Sequence, residues 1–229
     1  MMVCTTRTPA SRLIRTSTAV HRAMRNDTAR LAALLRDLEA RNRLPSARLC
    51  DAFAETVALI DHHHRTQDDL IFPFVGKRVS SFSHSIEMLE EDHVDLDAAL
   101  ARVVSRLRLV TVGASGSPWD SRSERLMQEI DRSIAILCAH LDREEDILFP
   151  ALGSLDQHEA QHLFTSVSRI DGIRGVSRLL PWIISNADGI ERRELRHSLS
   201  RRLIVMHDVL WGPRFKRRMR PLYALNGQD

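Results

Sequence analysis

The chain has 229 residues, of which 43% are hydrophobic and 28% charged, and a formal net charge of +3. This is normal for a soluble globular protein and is enough chain for one large domain, or for one domain with a smaller addition. No apolar run approaches the roughly 20 residues that cross a bilayer, and the three cysteines (Cys4, Cys50 and Cys138) form no CxxC or paired spacing. We therefore expect neither a transmembrane helix nor a disulfide framework, but a protein of the reducing cytoplasm.

The first 25 residues contain five arginines and no acidic residue. Their content of serine, threonine and arginine is similar to that of an organelle transit peptide, but they lack the continuous apolar segment of a secretory signal. We interpret residues 1–17 as a disordered leader and do not expect it to be a targeting segment.

Hydrophobic periodicity then predicts four amphipathic helices, at about 18–39, 46–72, 83–107 and 124–149. Short connections join the first three, while residues 111–121, rich in glycine and serine, form a longer loop before the fourth. Pro73 and Gly76 are expected to break the second helix. The pattern indicates an all-α protein with an up-and-down four-helix bundle over residues 18–152.

Residues 153–229 are predicted to form a helical C-terminal extension packed on the bundle. Asp156 and Glu159 have the spacing of a capping box and indicate a helix start. A second helix is expected after Gly175, with Pro181 complicating it, and a third from about Ile190 to Leu210.

Two segments of the bundle repeat each other. The sequences HHRTQDDLIFP (63–73) and HLDREEDILFP (140–150) align without gaps, so that His63 matches His140 and Gln67 matches Glu144. The first and third helices each add one histidine near the start, His21 and His93. The chain thus contains two helix pairs built on one plan.

These polar residues lie on the stripes that face the core. Burial of an imidazole or a carboxylate away from water costs several kcal/mol of free energy unless other interactions compensate for the lost water. Residues one turn apart share a helix face, so His140 and Glu144 point the same way. Histidines from all four helices with a carboxylate are the ligand set of a carboxylate-bridged dinuclear metal site, and the alternative is a buried hydrogen-bonded network without metal.

The spacing resembles the hemerythrin-like (HHE) cation-binding domain over about residues 18–152, and the tail resembles that of actinobacterial hemerythrin-domain proteins. The resemblance implies two non-haem irons, oxo- and carboxylate-bridged. It implies iron ligands at four positions and a bridging carboxylate at a fifth: His21, His63, His93, His140 and Glu144.

Gln67 falls where the family has its second bridging glutamate, and a neutral amide is a poorer iron ligand. Three outcomes stay open: Gln67 binds weakly, Asp68 replaces it by pairing with His64, or one metal position is half-built. His64 is a second-tier ligand candidate. Asp97 stands where oxygen-carrying hemerythrins have a further histidine, so the chain is not their close copy.

Two other motifs allow alternative interpretations. The sequence HEAQH (158–162) fits the H-E-x-x-H zinc motif, with Glu191 or Glu194 as a third ligand, but its place in the first turn of a short helix disfavours a metalloprotease. The basic segment 201–220 contains Trp211 and Phe215 and is compatible with contact to nucleic acid or membrane. A solvated or internally paired helix face is the favoured interpretation of that segment. Cys138 is expected in the core.

The resemblance implies binding or processing of a small oxidant (O₂, NO or H₂O₂) at the bundle core. If the protein is an enzyme, a catalase-like or NO-detoxifying activity is expected. The alternatives are an iron- or oxygen-sensing module that engages a partner through the basic tail, and a vestigial, metal-poor bundle.

Overall fold

The computed structural model describes residues 8–112 and 121–223. Helices over 9–112 are α1 (Pro9–Ala40), α2 (Ala47–Thr66), a π turn (Gln67–Ile71), α3 (Phe72–Gly76), α4 (Ser80–Ser83) and α5 (Ile86–Val112). They are followed by α6 (Ser121–Ser154), α7 (Gln157–Asn186), α8 (Gly189–Ser198), α9 (Arg201–Met206), a second π turn (His207–Trp211) and α10 (Gly212–Tyr223). The described residues contain no strand, and the prediction of an all-α protein is confirmed.

The bundle is formed by α1, by the continuous rod from α2 to α3, and by α5 and α6. The first helix begins at Pro9, because Thr8 caps it and proline suits the first helical position. Residues 9–17 are therefore helical, which corrects our expectation of disorder there, and Leu13 packs into the core. Residues 1–7, and 113–120 of the expected loop, lie outside the described part of the chain.

Pro73 does not end the second rod. In an ordinary α-helical turn the proline ring would clash with the carbonyl four residues back, and proline has no backbone N–H to donate. The backbone widens instead: the N–H of Phe72 bonds the carbonyl of Gln67, five residues back, and the helix continues to Gly76. The second π turn has the same cause, since it directly precedes Gly212 and Pro213.

Two apolar clusters fill the bundle. The larger lies between the helices on one side of the polar residues and includes Met24, Phe53, Leu100 and Leu137. The smaller lies on the other side and includes Phe72, Phe82 and Leu148. The polar stripe residues thus form a layer enclosed above and below by hydrocarbon.

The C-terminal extension packs on the bundle, α7 along α1 and α10 against α2. The capping box at Asp156 is confirmed. Within α7 the backbone leaves the helical conformation at Gly172 (φ +48°), so two helical segments meet at a kink there, and the expected second helix begins after Gly172, not after Gly175. The expected helix from Ile190 to Leu210 is divided at Leu199 and Ser200 into α8 and α9.

A buried carboxylate joins the two parts. Asp27 of α1 is fully buried and accepts hydrogen bonds from the Trp182 indole (2.8 Å), from Arg30 (2.6 Å) and from Thr56 (3.2 Å). The α10 face adds Phe215 and Met219, whose burial stabilises by about 1.5–3 kcal/mol each. None of the described helices is long and apolar enough to cross a membrane.

Candidate metal centre

The polar layer gathers into two groups of potential ligands. Three imidazoles form the first group (His64, His93 and His140), and two imidazoles with one carboxylate form the second (His21, His63 and Glu144). Within each group the ligand atoms lie within 4.8 Å of one another. Among the described residues these two groups alone meet that criterion with three candidate ligands.

Glu144 lies between the groups. One of its carboxylate oxygens is 3.5 Å from Nε2 of His21, and the other is 3.5 Å from Nε2 of His140. Each oxygen therefore faces a different group, which is the arrangement required of a carboxylate that bridges two ions.

Six buried imidazole nitrogens in this layer lack a hydrogen-bond partner: Nδ1 of His140 and five atoms that point to the centre. Those five are the Nε2 atoms of the histidines at 21, 63, 64, 93 and 140. Buried polar atoms are nearly always satisfied, and each exception requires an explanation. Five lone pairs that converge from four helices fit a pair of metal ions, and they do not fit a closed hydrogen-bonded network.

Carboxylates outside the layer orient the rings. Nδ1 of His21 lies 2.9 Å from Glu145, Nδ1 of His64 lies 2.8 Å from Asp97, and Nδ1 of His93 lies 2.7 Å from Asp68. Such a partner holds the proton on Nδ1, so Nε2 presents its lone pair to the centre.

Nδ1 of His140 is 3.6 Å from Asp92, a carboxylate that Arg143 also binds. His63 is half-buried, and its Nδ1 pairs with no carboxylate of the described residues.

The sequence repeat is also a repeat of contacts. Asp68 supports His93 in the same way as the aligned Glu145 supports His21. The phenylalanines that end the repeated segments do likewise: Phe72 stacks on His93 (5.5 Å between centroids) and Phe149 stacks on His21 (5.8 Å).

The repeat fails at His64, which aligns with Leu141. Because only one segment has this histidine, one group contains three imidazoles and the other two.

Gln67 is fully buried in the π turn, and its amide N–H donates to the Glu144 oxygen that faces His21. Its own carbonyl oxygen has no hydrogen-bond partner. Gln67 thus lies beside Glu144 in the polar layer, on the side of the group that contains His21. Asp68 does not pair with His64, as one of our alternatives required, because its carboxylate supports His93 instead.

The titration behaviour leaves His63, His64 and Glu144 in the forms that bind metals, whereas His21 must first lose a proton. Burial alone would lower the pKa of His21, but Glu144 and Glu145 outweigh it and raise the pKa to about 9. Burial lowers the pKa of His63 and of His64 well below the usual value. Burial opposes ionisation of Glu144, yet His21 and His140 hold its pKa well below normal. Ionised carboxylate and neutral imidazole are the forms that bind metals.

The HEAQH segment forms no such site. His158 and His162 are exposed on α7, and the ring of His162 stacks on Phe74. Glu159 completes the capping box and pairs with Arg78, while Glu191 pairs with Arg22.

The structure also bears on one alternative that the sequence did not favour and corrects one expectation. Trp211 and Phe215 are buried against α7 and α2, so they are not available to a partner. Cys138 is half-buried and lies beside the core, not within it, because it is one position off the inward stripe.

A four-helix bundle whose core brings histidines and a carboxylate into two adjoining groups defines a helical metal-binding protein. The particular family follows from its sequence pattern: the chain belongs to the hemerythrin HHE cation-binding domain family, whose model matches residues 12–152. Searches of curated proteins and of solved structures found no significant match.

Proposed function

We propose that the bundle core holds two non-haem irons and that this centre binds or processes a small oxidant, O₂, NO or H₂O₂. The observation that carries the proposal is the set of five buried Nε2 atoms without hydrogen-bond partners, divided between two groups that Glu144 joins. Iron held by these residues would supply a redox-active cation to which a small ligand could bind.

The assignment of ligands follows the two groups. One iron is held by His64, His93 and His140, and the other by His21 and His63, with Glu144 bridging. We thereby propose His64 as a full ligand, where the sequence alone gave it second rank. Gln67 offers a neutral amide at the second bridging position.

The remaining residues prepare and protect the centre. Asp68, Asp97 and Glu145 keep protons on Nδ1 of three histidines. The apolar layers exclude bulk water, which restricts the ligand to small molecules. His63 is the only one of the five imidazoles that is not fully buried, and we propose that small ligands enter beside it.

The first test is iron per purified chain together with the visible spectrum. Two irons with an oxo-to-iron charge-transfer band support the proposal. Iron-free protein of unchanged stability supports the vestigial alternative instead. Anaerobic reduction followed by separate exposure to O₂, NO and peroxide identifies the ligand, since only the physiological one should give a rapid and complete spectral change.

A sensing role is the second candidate. The observation in its favour is that α7 packs along the helix of His21 and α10 against the helix of His63, so both parts of the extension contact ligand-bearing rods. Reversal of charge at the exposed Arg217 should weaken a salt-sensitive partner complex in that case. Unchanged partner binding would count against sensing.

A further inference from the structure

The outer face of α9 and the second π turn exposes a group of aliphatic side chains. Val205 is 53% exposed, Met206 38%, Val209 70% and Leu210 37%. These four residues, the aliphatic ridge, recur at helical spacing on one face, while His207 and Trp211 occupy the buried face. Contiguous exposed hydrocarbon of this kind marks an interaction surface more often than chance exposure.

Cations flank the ridge at both ends. Arg201 and Arg202 precede it, and Arg214, Lys216 and Arg217 follow it, all exposed. None of the five forms an ion pair with a residue in the described ranges 8–112 and 121–223. The one acid of the segment, Asp208, is bound by both terminal nitrogens of Arg196 (2.7 Å each), so it does not neutralise them.

We infer that the aliphatic ridge and its flanking cations bind the surface of an anionic lipid bilayer. Aliphatic side chains enter the boundary between headgroups and acyl chains, and arginines bind lipid phosphates beside them. The element lies on the membrane without crossing it.

Charge and shape favour this occupant over others. A two-fold contact with a second copy would place the arginines of one chain against those of the other. Single-stranded nucleic acid is bound by stacking of bases on exposed rings, but Trp211 and Phe215 are buried and the ridge is aliphatic. Duplex nucleic acid offers phosphates to the cations but no hydrocarbon to the ridge. An anionic bilayer satisfies both the hydrocarbon and the positive charge.

The test is flotation of the full chain with vesicles. Vesicles of phosphatidylglycerol mixed with phosphatidylcholine should bind the chain, and pure phosphatidylcholine vesicles should not. Val209→Asp should lower the partition coefficient about tenfold, because one valine side chain is no longer buried in the bilayer. Arg214→Gln with Arg217→Gln should lower it roughly 25-fold, at about fivefold per cation.

Val94→Asp is the matched control, because Val94 is 69% exposed on α5, far along the chain from the ridge. It should bind like the wild type, and circular dichroism should show all variants folded. The inference is overturned if wild type fails to float with anionic vesicles. It is equally overturned if Val209→Asp floats normally, if Val94→Asp is impaired as much, or if an acidic polypeptide or duplex DNA binds the ridge while vesicles do not.

Discussion

Gln67→Glu tests how the two groups of ligands are joined. The substitution keeps the shape of the side chain but replaces the amide that donates to Glu144 with a second carboxylate. In the metal-free protein, two buried carboxylates would then face each other, and one must take up a proton or repel the other. With two cations present, the same carboxylate becomes a second bridge. The change should therefore act in opposite directions on the apoprotein and on the metal complex.

The size of the expected effect follows from the distance between the two carboxylates. Two unit charges about 4 Å apart interact with about 4 kcal/mol at an effective dielectric constant of about 20. Desolvation and relaxation offset part of this, so we expect the apoprotein to lose about 2 kcal/mol of unfolding free energy. For a chain of this size that lowers the apoprotein Tm by about 4–8 °C. If the second carboxylate stabilises the metal complex by a similar free energy, the affinity for the second ion rises about 30-fold.

The assay is a pair of measurements on one preparation: thermal unfolding of the apoprotein, and calorimetric titration with Fe²⁺ under anaerobic conditions. Gln128→Glu, at an exposed position of α6, makes the same chemical change away from the centre and should alter neither quantity. If Gln67→Glu leaves apoprotein stability unchanged, Gln67 does not contact Glu144. If it weakens binding of the second ion, position 67 is not a bridging position.

Three other predictions follow from the same geometry. Metal analysis of His140→Ala should show the loss of at least one iron per chain. The control His84→Ala, at an exposed position, should retain both irons. If His140→Ala also retains both irons, the inward face of α6 is wrongly assigned. Because the pKa of His21 is raised, the stability that this group gives the apoprotein is complete below about pH 6.5 and is lost as pH rises through about 9. Metal binding displaces one proton from His21, so metal affinity should rise through the same pH window by up to about tenfold per pH unit. Affinity independent of pH there would refute the assignment of His21. Asp27→Asn should cost about 2–3 kcal/mol in urea unfolding, since it weakens the buried acceptor of Trp182 and Arg30, while Asp95→Asn on the surface should cost little.

The four-helix bundle was predictable because core-facing residues recur at helical spacing along each of its helices. The stripes that end in His140 and Glu144 indicated both the helix and the face that it turns inward. The repeat of residues 63–73 at 140–150 also indicates which carboxylates support the histidines. Asp68 and Glu145 occupy equivalent places beside His93 and His21, which the alignment of the two segments already suggested.

Other features depend on tertiary contacts that periodicity does not contain. His64 is one residue from His63, and only the crossing of α2 with α5 brings it to His93 (4.1 Å between ring centroids). The π turn at Gln67 accommodates Pro73 without ending the rod, and Phe72 and Val75 on either side of the proline are fully buried. The arginine-rich end reads as a charged tail, yet Phe215, Met219 and Leu222 recur at helical spacing and dock α10 on the bundle.

The most direct test of the account is anomalous diffraction at the iron edge from crystals of iron-loaded protein. We predict two peaks, one enclosed by Nε2 of His64, His93 and His140, and the other by His21, His63 and Glu144, with the carboxylate of Glu144 contacting both. A single peak, or two peaks outside these groups, would contradict the proposal that the histidine layer exists to hold a pair of ions.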